Sequence, residues 1–349
     1  MTPELLLAWT VATDGLLSRA ELRADARVID AHPLVVEQLV ESAAARAAGH
    51  PGARAAGVHV AGGCGRRDCV IVVEGLATAV VIGQAAVEGA LAEAQGLGCP
   101  GRRSLRRAWR GRPFTPPVLL EAALARSLGD PLSSRVDASG VRPRVTAGSV
   151  RAAWRAIATS FNTIWVATSE QMSPASTESP ARLWVDWPGA ARVQVAVAWA
   201  SSGQGDDLVR DAALSGDFES RLVQALRERD GLTYDVEPDH GEGWAAAVFD
   251  VAGSDFKRAA AEAAQVLGEP LAGVWLAGAH LRLLARHGAA RDSLAGMLAP
   301  LPLVPAAPPV ALAPASVLAW VAVGDPAVAP EGWTHATRCA VVGDPSCTR

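Results

Sequence analysis

The chain has 349 residues, 50% of them hydrophobic and 19% charged, with a net charge of −4 at pH 7. That length holds two ordinary domains, each able to bury a core of its own. The slightly acidic balance excludes a protein that tracks the phosphates of a nucleic acid over a broad basic surface.

The first residues, Met1-Thr2-Pro3-Glu4-Leu5, carry an acid and no base where a secretory signal needs positive charge. No apolar run approaches the roughly 18 residues of a membrane span. These features predict a soluble, cytoplasmic protein without direct membrane insertion. Five cysteines, Cys64, Cys69, Cys99, Cys339 and Cys347, form an odd set that favours free thiols, with a Cys339 to Cys347 disulfide as the alternative.

In the first half, Leu5 to Ala12 reads as a strand that ends at the loop Asp14-Gly15, and Pro33 to Ala47 reads as a helix. Gly62-Gly63-Cys64-Gly65 is expected to be a turn, because the Lys-Ser/Thr of a phosphate loop is missing. His59, Cys64 and Cys69 lack the fourth ligand and tight pairing of a metal cluster. A strand over Cys69 to Glu74 follows, then helices over Thr78 to Ala94, Pro117 to Leu128 and Ala147 to Thr159, and a closing strand at Phe161 to Ala167.

Residues 169 to 181 are dense in Ser, Thr and Pro without apolar periodicity, the composition of a connector. The second half then repeats the order of the first. A strand at Val193 to Ala200 leads to a helix from Asp217, a candidate N-cap, to Gly231, a candidate stop. Leu222, Ala225 and Leu226 share one face of that helix. A strand at Trp244 to Val251, helices over Asp255 to Leu267 and Leu271 to His287, and a last strand at Val317 to Asp325 complete the order. Ala299 to Pro314 holds six of the 23 prolines and reads as an irregular crossover. His280 and His287 read as surface or interface residues, the Asp239-His240 pair as part of an exposed loop after Tyr234, and the tryptophans as strand-borne core.

Recurrence of strand, loop, helix and closing strand predicts an internal duplication. The expected organisation is a domain over 1–168, a linker over 169–182 and a domain over 183–349. The fold class is α+β, with each half a mostly antiparallel sheet carrying helices on one face.

The string Ser220-Arg221-Leu222, Leu226-Arg227, Gly231-Leu232 and Tyr234 carries the most chemical information. Its tyrosine is the only one in the chain. A guanidinium and a phenol placed on either side of a helix stop can both hold a peptide carbonyl. This spacing closely resembles the motif in the C-terminal halves of insulinase/pitrilysin-type zinc peptidases, which include the mitochondrial processing peptidase subunits. Trp187-Pro188-Gly189-Ala190, the linker and Thr146 to Ala167 resemble the same family, so the likeness runs over about the whole chain.

The resemblance implies two duplicated halves that form one half of a clamshell around an extended peptide. Active members bind zinc with His-x-x-Glu-His on a first-half helix. The matching helix here is Pro33 to Val40, where Glu37 aligns with the catalytic acid and Leu34 and Gln38 fall at the ligand positions. Leu offers no lone pair and a Gln amide is a poor zinc ligand, so the zinc site is read as degenerate, with no metal and no cofactor in this chain. A second ligand acid is not evident near Ser104 to Trp109. Family first halves usually begin with a further strand pair, and about a dozen residues precede Asp14 here.

The resemblance therefore implies a non-catalytic subunit of a two-chain metallopeptidase. Zinc would reside in a homologous partner subunit, and Arg227 and Tyr234 would bind the peptide substrate and its oxyanion across the chamber. The alternative is a proteolytically inactive scaffold subunit of a larger, membrane-associated assembly.

Overall fold

The computed structural model describes residues 9–14, 16–25, 33–64, 68–96, 115–129, 152–153, 155–157, 161, 180–241, 243–291, 293 and 302–342. The chain divides into two compact units, one of Met1–Pro113, Val141–Thr168 and Ala290–Pro300, the other of Phe114–Gly140, Ser169–Ala289 and Leu301–Arg349.

The first unit is built on two hairpins. Strands β1 (Trp9–Asp14) and β2 (Leu17–Asp25) form one, and β3 (His59–Cys64) and β4 (Asp68–Leu76) form the other. They join in the order β1-β2-β4-β3, antiparallel throughout. Helix α1 (Pro33–Gly49) and the short α2 (Pro51–Ala55) link the hairpins, and α3 (Ala77–Gly96) follows β4.

One face of this sheet presents Ala20, Leu22, Val60, Ile71 and Val73 to Val36, Val40 and Leu91 of the helices. Ala153, Ile157 and Phe161 join the same core. Because side chains alternate along a strand, Arg19, Glu21 and Arg23 of β2 point the other way. There Glu21, only 1% exposed, accepts hydrogen bonds from Arg19 Nε and Arg23 Nε, each at 2.7 Å, and Arg19 also pairs with Glu74. This strand escapes a search for apolar runs because its outer positions form an ion network.

Cys64 and Cys69 lie directly opposite each other in the β3–β4 register and are bonded as a disulfide. Cys339 is disulfide-bonded as well. The expectation of free thiols is therefore corrected, and the bridge removes both thiolates from any cluster with His59. The reason is register: hairpin pairing brings the two side chains together, which spacing alone does not reveal. Closing so short a loop is worth about 2 kcal/mol on chain-entropy grounds. Denaturant titration of a Cys64→Ser, Cys69→Ser variant against the oxidised parent chain is expected to show that loss.

In the second unit, β5 (Ala181–Asp186), β6 (Arg192–Ala200), β7 (Val236–Gly241), β8 (Trp244–Ala252), β11 (Val317–Gly324) and β12 (Thr334–Thr337) form a sheet in the order β12-β5-β11-β6-β8-β7. Pairings of β5 with β11 and β12 are parallel and the rest antiparallel. A small ladder pairs β9 (Leu271–Ala272) with β10 (Ala311–Leu312). Helices α5 (Gly205–Leu214), α6 (Arg221–Val223), α7 (Phe256–Gly268) and α8 (Val274–Arg291) accompany it, with α9 (Arg338–Val342) last among the described residues. The segment expected as one helix from Leu271 opens instead as β9 and turns at Gly273 (φ 61°) before α8 begins.

Two strands, helix, hairpin, helix is the order of both units. The sheet order 1-2-4-3 of the first returns in the second as 5-6-8-7, with β11 inserted between β5 and β6. The α+β class expected from the sequence is observed. The residues of the expected closing strand at 162–167, most of the linker and Ser104 to Trp109 lie outside the described residues.

Helix α4 (Pro116–Ser127) departs from the expected division of the chain. It precedes the linker in sequence yet belongs to the second unit, where Leu119, Leu120, Ala123 and Leu124 pack on Ala196, Ala198, Ala246 and Val321. Val193, Val195, Val197 and Trp199 of β6 face the opposite side, into Leu222, Leu226, Phe256 and Leu276. The second sheet therefore carries helices on both faces rather than one, which is why β6 reads as an almost continuous apolar run.

Candidate functional site

The segment between β6 and β7 carries the Arg/Tyr motif, in the same place in the order that α1 holds in the first unit. It does not begin at Asp217. The chain first makes a tight turn in which Asp217 O accepts from Ser220 N at 3.0 Å and Ser220 Oγ at 2.8 Å, and Asp217 Oδ1 accepts from Glu219 N at 3.1 Å. Asp217 spends its side chain on this turn and on Arg282, whose Nε lies 2.6 Å from Oδ2, so Ser220 becomes the N-cap residue of α6.

From Gln224 to Arg229 the helix widens into π turns. Such turns are rare and recur at functional sites. Here the wider turn keeps Leu222, Val223, Ala225 and Leu226 buried in succession, while Arg227 and Glu228 emerge. The helix stops at Gly231, whose φ of 61° is open to glycine at little cost. Gly231 N donates to Arg227 O at 3.0 Å and Leu232 N donates to Leu226 O at 2.8 Å, satisfying carbonyls that the helix end would leave bare. No atom lies within 4 Å of where a Cβ would sit at Gly231. Gly231→Ala should therefore cost only the backbone strain, about 1 kcal/mol, visible as a small drop in melting temperature.

Beyond the stop, Leu232 and Thr233 are buried and Thr233 Oγ1 donates to Asp235 O at 2.8 Å. Val236 is buried again at the start of β7. Tyr234 is fixed between these anchors and is 84% exposed. An aromatic side chain displayed from a well-anchored turn is unusual for a residue with no core role.

The guanidinium of Arg227 lies over the ring of Phe218, with Cζ 4.8 Å from its centroid, and its Nε is 3.3 Å from Glu228 Oε1. Among the described residues neither of its terminal nitrogens has a hydrogen-bond or ion-pair partner. Arg192, Arg210, Arg221, Arg229, Arg258, Arg282 and Arg286 of the same unit are all paired with carboxylates. The motif residues thus lie on either side of the Gly231 stop, and no hydrogen bond joins Arg227 to Tyr234. Phe218 was not legible as part of the site; an acid on each side of a lone Phe is the only sequence signal.

Leu34, Glu37 and Gln38 fall in the first turns of α1, with Glu37 partly buried. A hydrocarbon, a carboxylate and an amide do not make a zinc donor set, so these residues do not fit the metal. Among the described residues no group of three or more His, Cys, Asp or Glu side chains is placed to hold a metal ion.

Other expected surface positions differ. His280 is 4% exposed and its Nε2 donates to Pro305 O at 2.7 Å, tying the proline-rich segment to α8. Asp239 and His240 belong to β7, an edge strand, rather than to a loop. Trp184, Trp199, Trp244 and Trp320 are core residues, as expected.

Comparison with solved structures identifies the architecture. The inactive domain of a peptidase M16 from Pseudomonas fluorescens superposes with a TM-score of 0.58 at 14% identity, over 91% of this chain and 98% of that one. The fold is that of this inactive peptidase domain. A conserved protein from Enterococcus faecalis V583 gives 0.51 at 10% identity over 89% and 93% of the chains. A chain of complex III2 from Candida albicans gives 0.51 at 12% over 84% of each. No protein-family model and no curated protein matches the sequence. Among the described residues no helix is long and apolar enough to cross a membrane.

Proposed function

We propose that this chain is the non-catalytic, Arg/Tyr-donating subunit of a two-chain zinc metallopeptidase of the insulinase/pitrilysin type. A homologous partner carrying His-x-x-Glu-His supplies the zinc site. One observation carries the reading: Arg227, stacked on Phe218 with both terminal nitrogens open, accompanies an outward Tyr234 across a rigid stop. A guanidinium edge and a phenol O–H are donors suited to a peptide carbonyl and to the oxyanion that develops from it. A peptide in extended form is the substrate class. The test is peptide cleavage by the chain paired with its partner, compared for Arg227→Ala and Tyr234→Phe; unchanged turnover in both overturns the reading.

A scaffold role is the second reading, favoured by the similarity in fold to a chain of the Candida albicans complex III2. Stable incorporation into a larger assembly, indifferent to Arg227→Ala and Tyr234→Phe, would select it.

The place of action follows from the cysteines. Disulfides persist in oxidising compartments, so the bonded Cys64, Cys69 and Cys339 weigh for such a compartment over the cytoplasm. Alkylation of the protein taken directly from its native cells should leave these three thiols unmodified until reductant is added; immediate labelling would restore the cytoplasmic expectation.

A further inference from the structure

We infer that Phe218 is a positioning residue for Arg227, holding the guanidinium ready for an incoming backbone oxygen; the inference rests on the reading of Arg227 as a substrate-binding donor. Phe218 is 64% exposed, an apolar ring that the core does not use. Its backbone is nevertheless tightly fixed. Gln224 Nε2 donates to Phe218 O at 2.6 Å, and the acids on either side, Asp217 and Glu219, both pair with Arg282, at 2.6 Å each. Arg286 adds a contact to Asp217 at 3.6 Å. The ring is thus mounted on a clamped tripeptide and serves as a plate beneath the guanidinium, 4.8 Å from Cζ.

A stacked guanidinium behaves differently from an ion-paired one. A carboxylate occupies the N–H edge, whereas an aromatic face occupies the flat surface and leaves the edge free. Stacking also removes rotamer freedom that an unsupported arginine would lose on binding. Only Nε has a near neighbour, Glu228 at 3.3 Å, so the two terminal nitrogens remain available in a restrained orientation. Phe218 touches no substrate in this account; it acts through Arg227.

The experiment compares Phe218→Leu, which keeps apolar bulk without a π face, with Phe218→Trp, which keeps the face, each in the parent and in the Arg227→Ala background. Two readouts are taken: the Nε–Hε NMR resonance of Arg227 in the isolated full chain, and kcat and KM of the chain paired with its zinc-bearing partner on a quenched fluorescent peptide library. Phe218→Leu should abolish the ring-current shift of Hε and lower kcat about fivefold to tenfold with little change in KM. Phe218→Trp should restore both, and neither substitution should matter once Arg227 is alanine. An unchanged Hε resonance, a kcat that does not fall, or an equal fall in both backgrounds overturns the positioning role. If Arg227→Ala itself leaves turnover intact, the reading of Arg227 as a substrate-binding donor fails, and with it the role of Phe218, whatever the resonance shows. If Arg227→Ala lowers turnover and Phe218→Leu does not, only the positioning role fails.

Discussion

Replacing Arg227 by alanine in the paired peptidase should lower kcat by about 10² to 10³, and Tyr234→Phe should produce a loss of similar order. Each substitution removes a preorganised donor aimed at developing negative charge, worth about 3 to 4 kcal/mol in a site closed to water. Tyr234→Phe is the cleaner of the two because it removes one oxygen and keeps the ring. Neither side chain fills the core, since the Tyr234 ring is exposed and the Arg227 guanidinium lies on an exposed Phe218. Folding stability should therefore stay within about 0.5 kcal/mol of the parent. Turnover that falls without a change in melting temperature is the expected pattern. A loss of both together would mean that the substitutions disturb the helix stop instead of the chemistry. The two losses need not add, because donors serving one oxyanion act as a unit.

Asp211→Asn is expected to stabilise the protein at neutral pH by about 3 kcal/mol, an unusual direction for a residue in a hydrogen-bonded cluster. Asp211 sits on α5 and is enclosed against β6, where Trp199 Nε1 donates to Oδ1 at 2.8 Å and Ser201 Oγ donates to Oδ2 at 2.5 Å. Burial pushes its carboxyl up to about 6 from 3.8, and the nearby Asp207 adds to the rise. The two hydrogen bonds and Arg210 oppose it without cancelling it. The folded state therefore keeps a proton that the unfolded chain releases near pH 4. Stability is highest below that point, falls by up to 1.4 kcal/mol per unit as pH rises towards about 6, and is level above it. An amide of the same shape carries no charge to desolvate, so the variant should lose this slope. Melting temperatures taken from pH 4 to pH 8 check both the slope and its disappearance; a parallel slope in the variant would assign it to another group.

What the sequence made legible depended on how each residue spends its side chain. Strands β6, β8 and β11 stood out because both of their faces are covered, leaving little room for polar alternation. Strand β2 did not, since Arg19, Glu21 and Arg23 satisfy one another on the sheet face and look like surface charge in one dimension. Helix α4 was found as a helix but given to the wrong half, for apolarity says that a helix is buried and not against which sheet. At the candidate site, the Gly231 stop and the spacing of Arg227 and Tyr234 were readable from local turn chemistry. The π widening leaves no mark in the spacing, and the Phe218 stack was hidden because the turn that carries Phe218 is fastened by Asp217 to Arg282, a contact between residues far apart in the chain.

The placement of α4 also bears on inheritance and on dissection. If the two halves arose by copying one ancestral unit, the copies are no longer independent modules, because a stretch that precedes the connecting segment now completes the later copy. Cutting the gene at the obvious midpoint would release a C-terminal fragment whose sheet shows Ala196, Ala198, Ala246 and Val321 uncovered. Such a fragment should be sticky and poorly soluble, whereas one that begins ahead of Thr115 keeps its own lid.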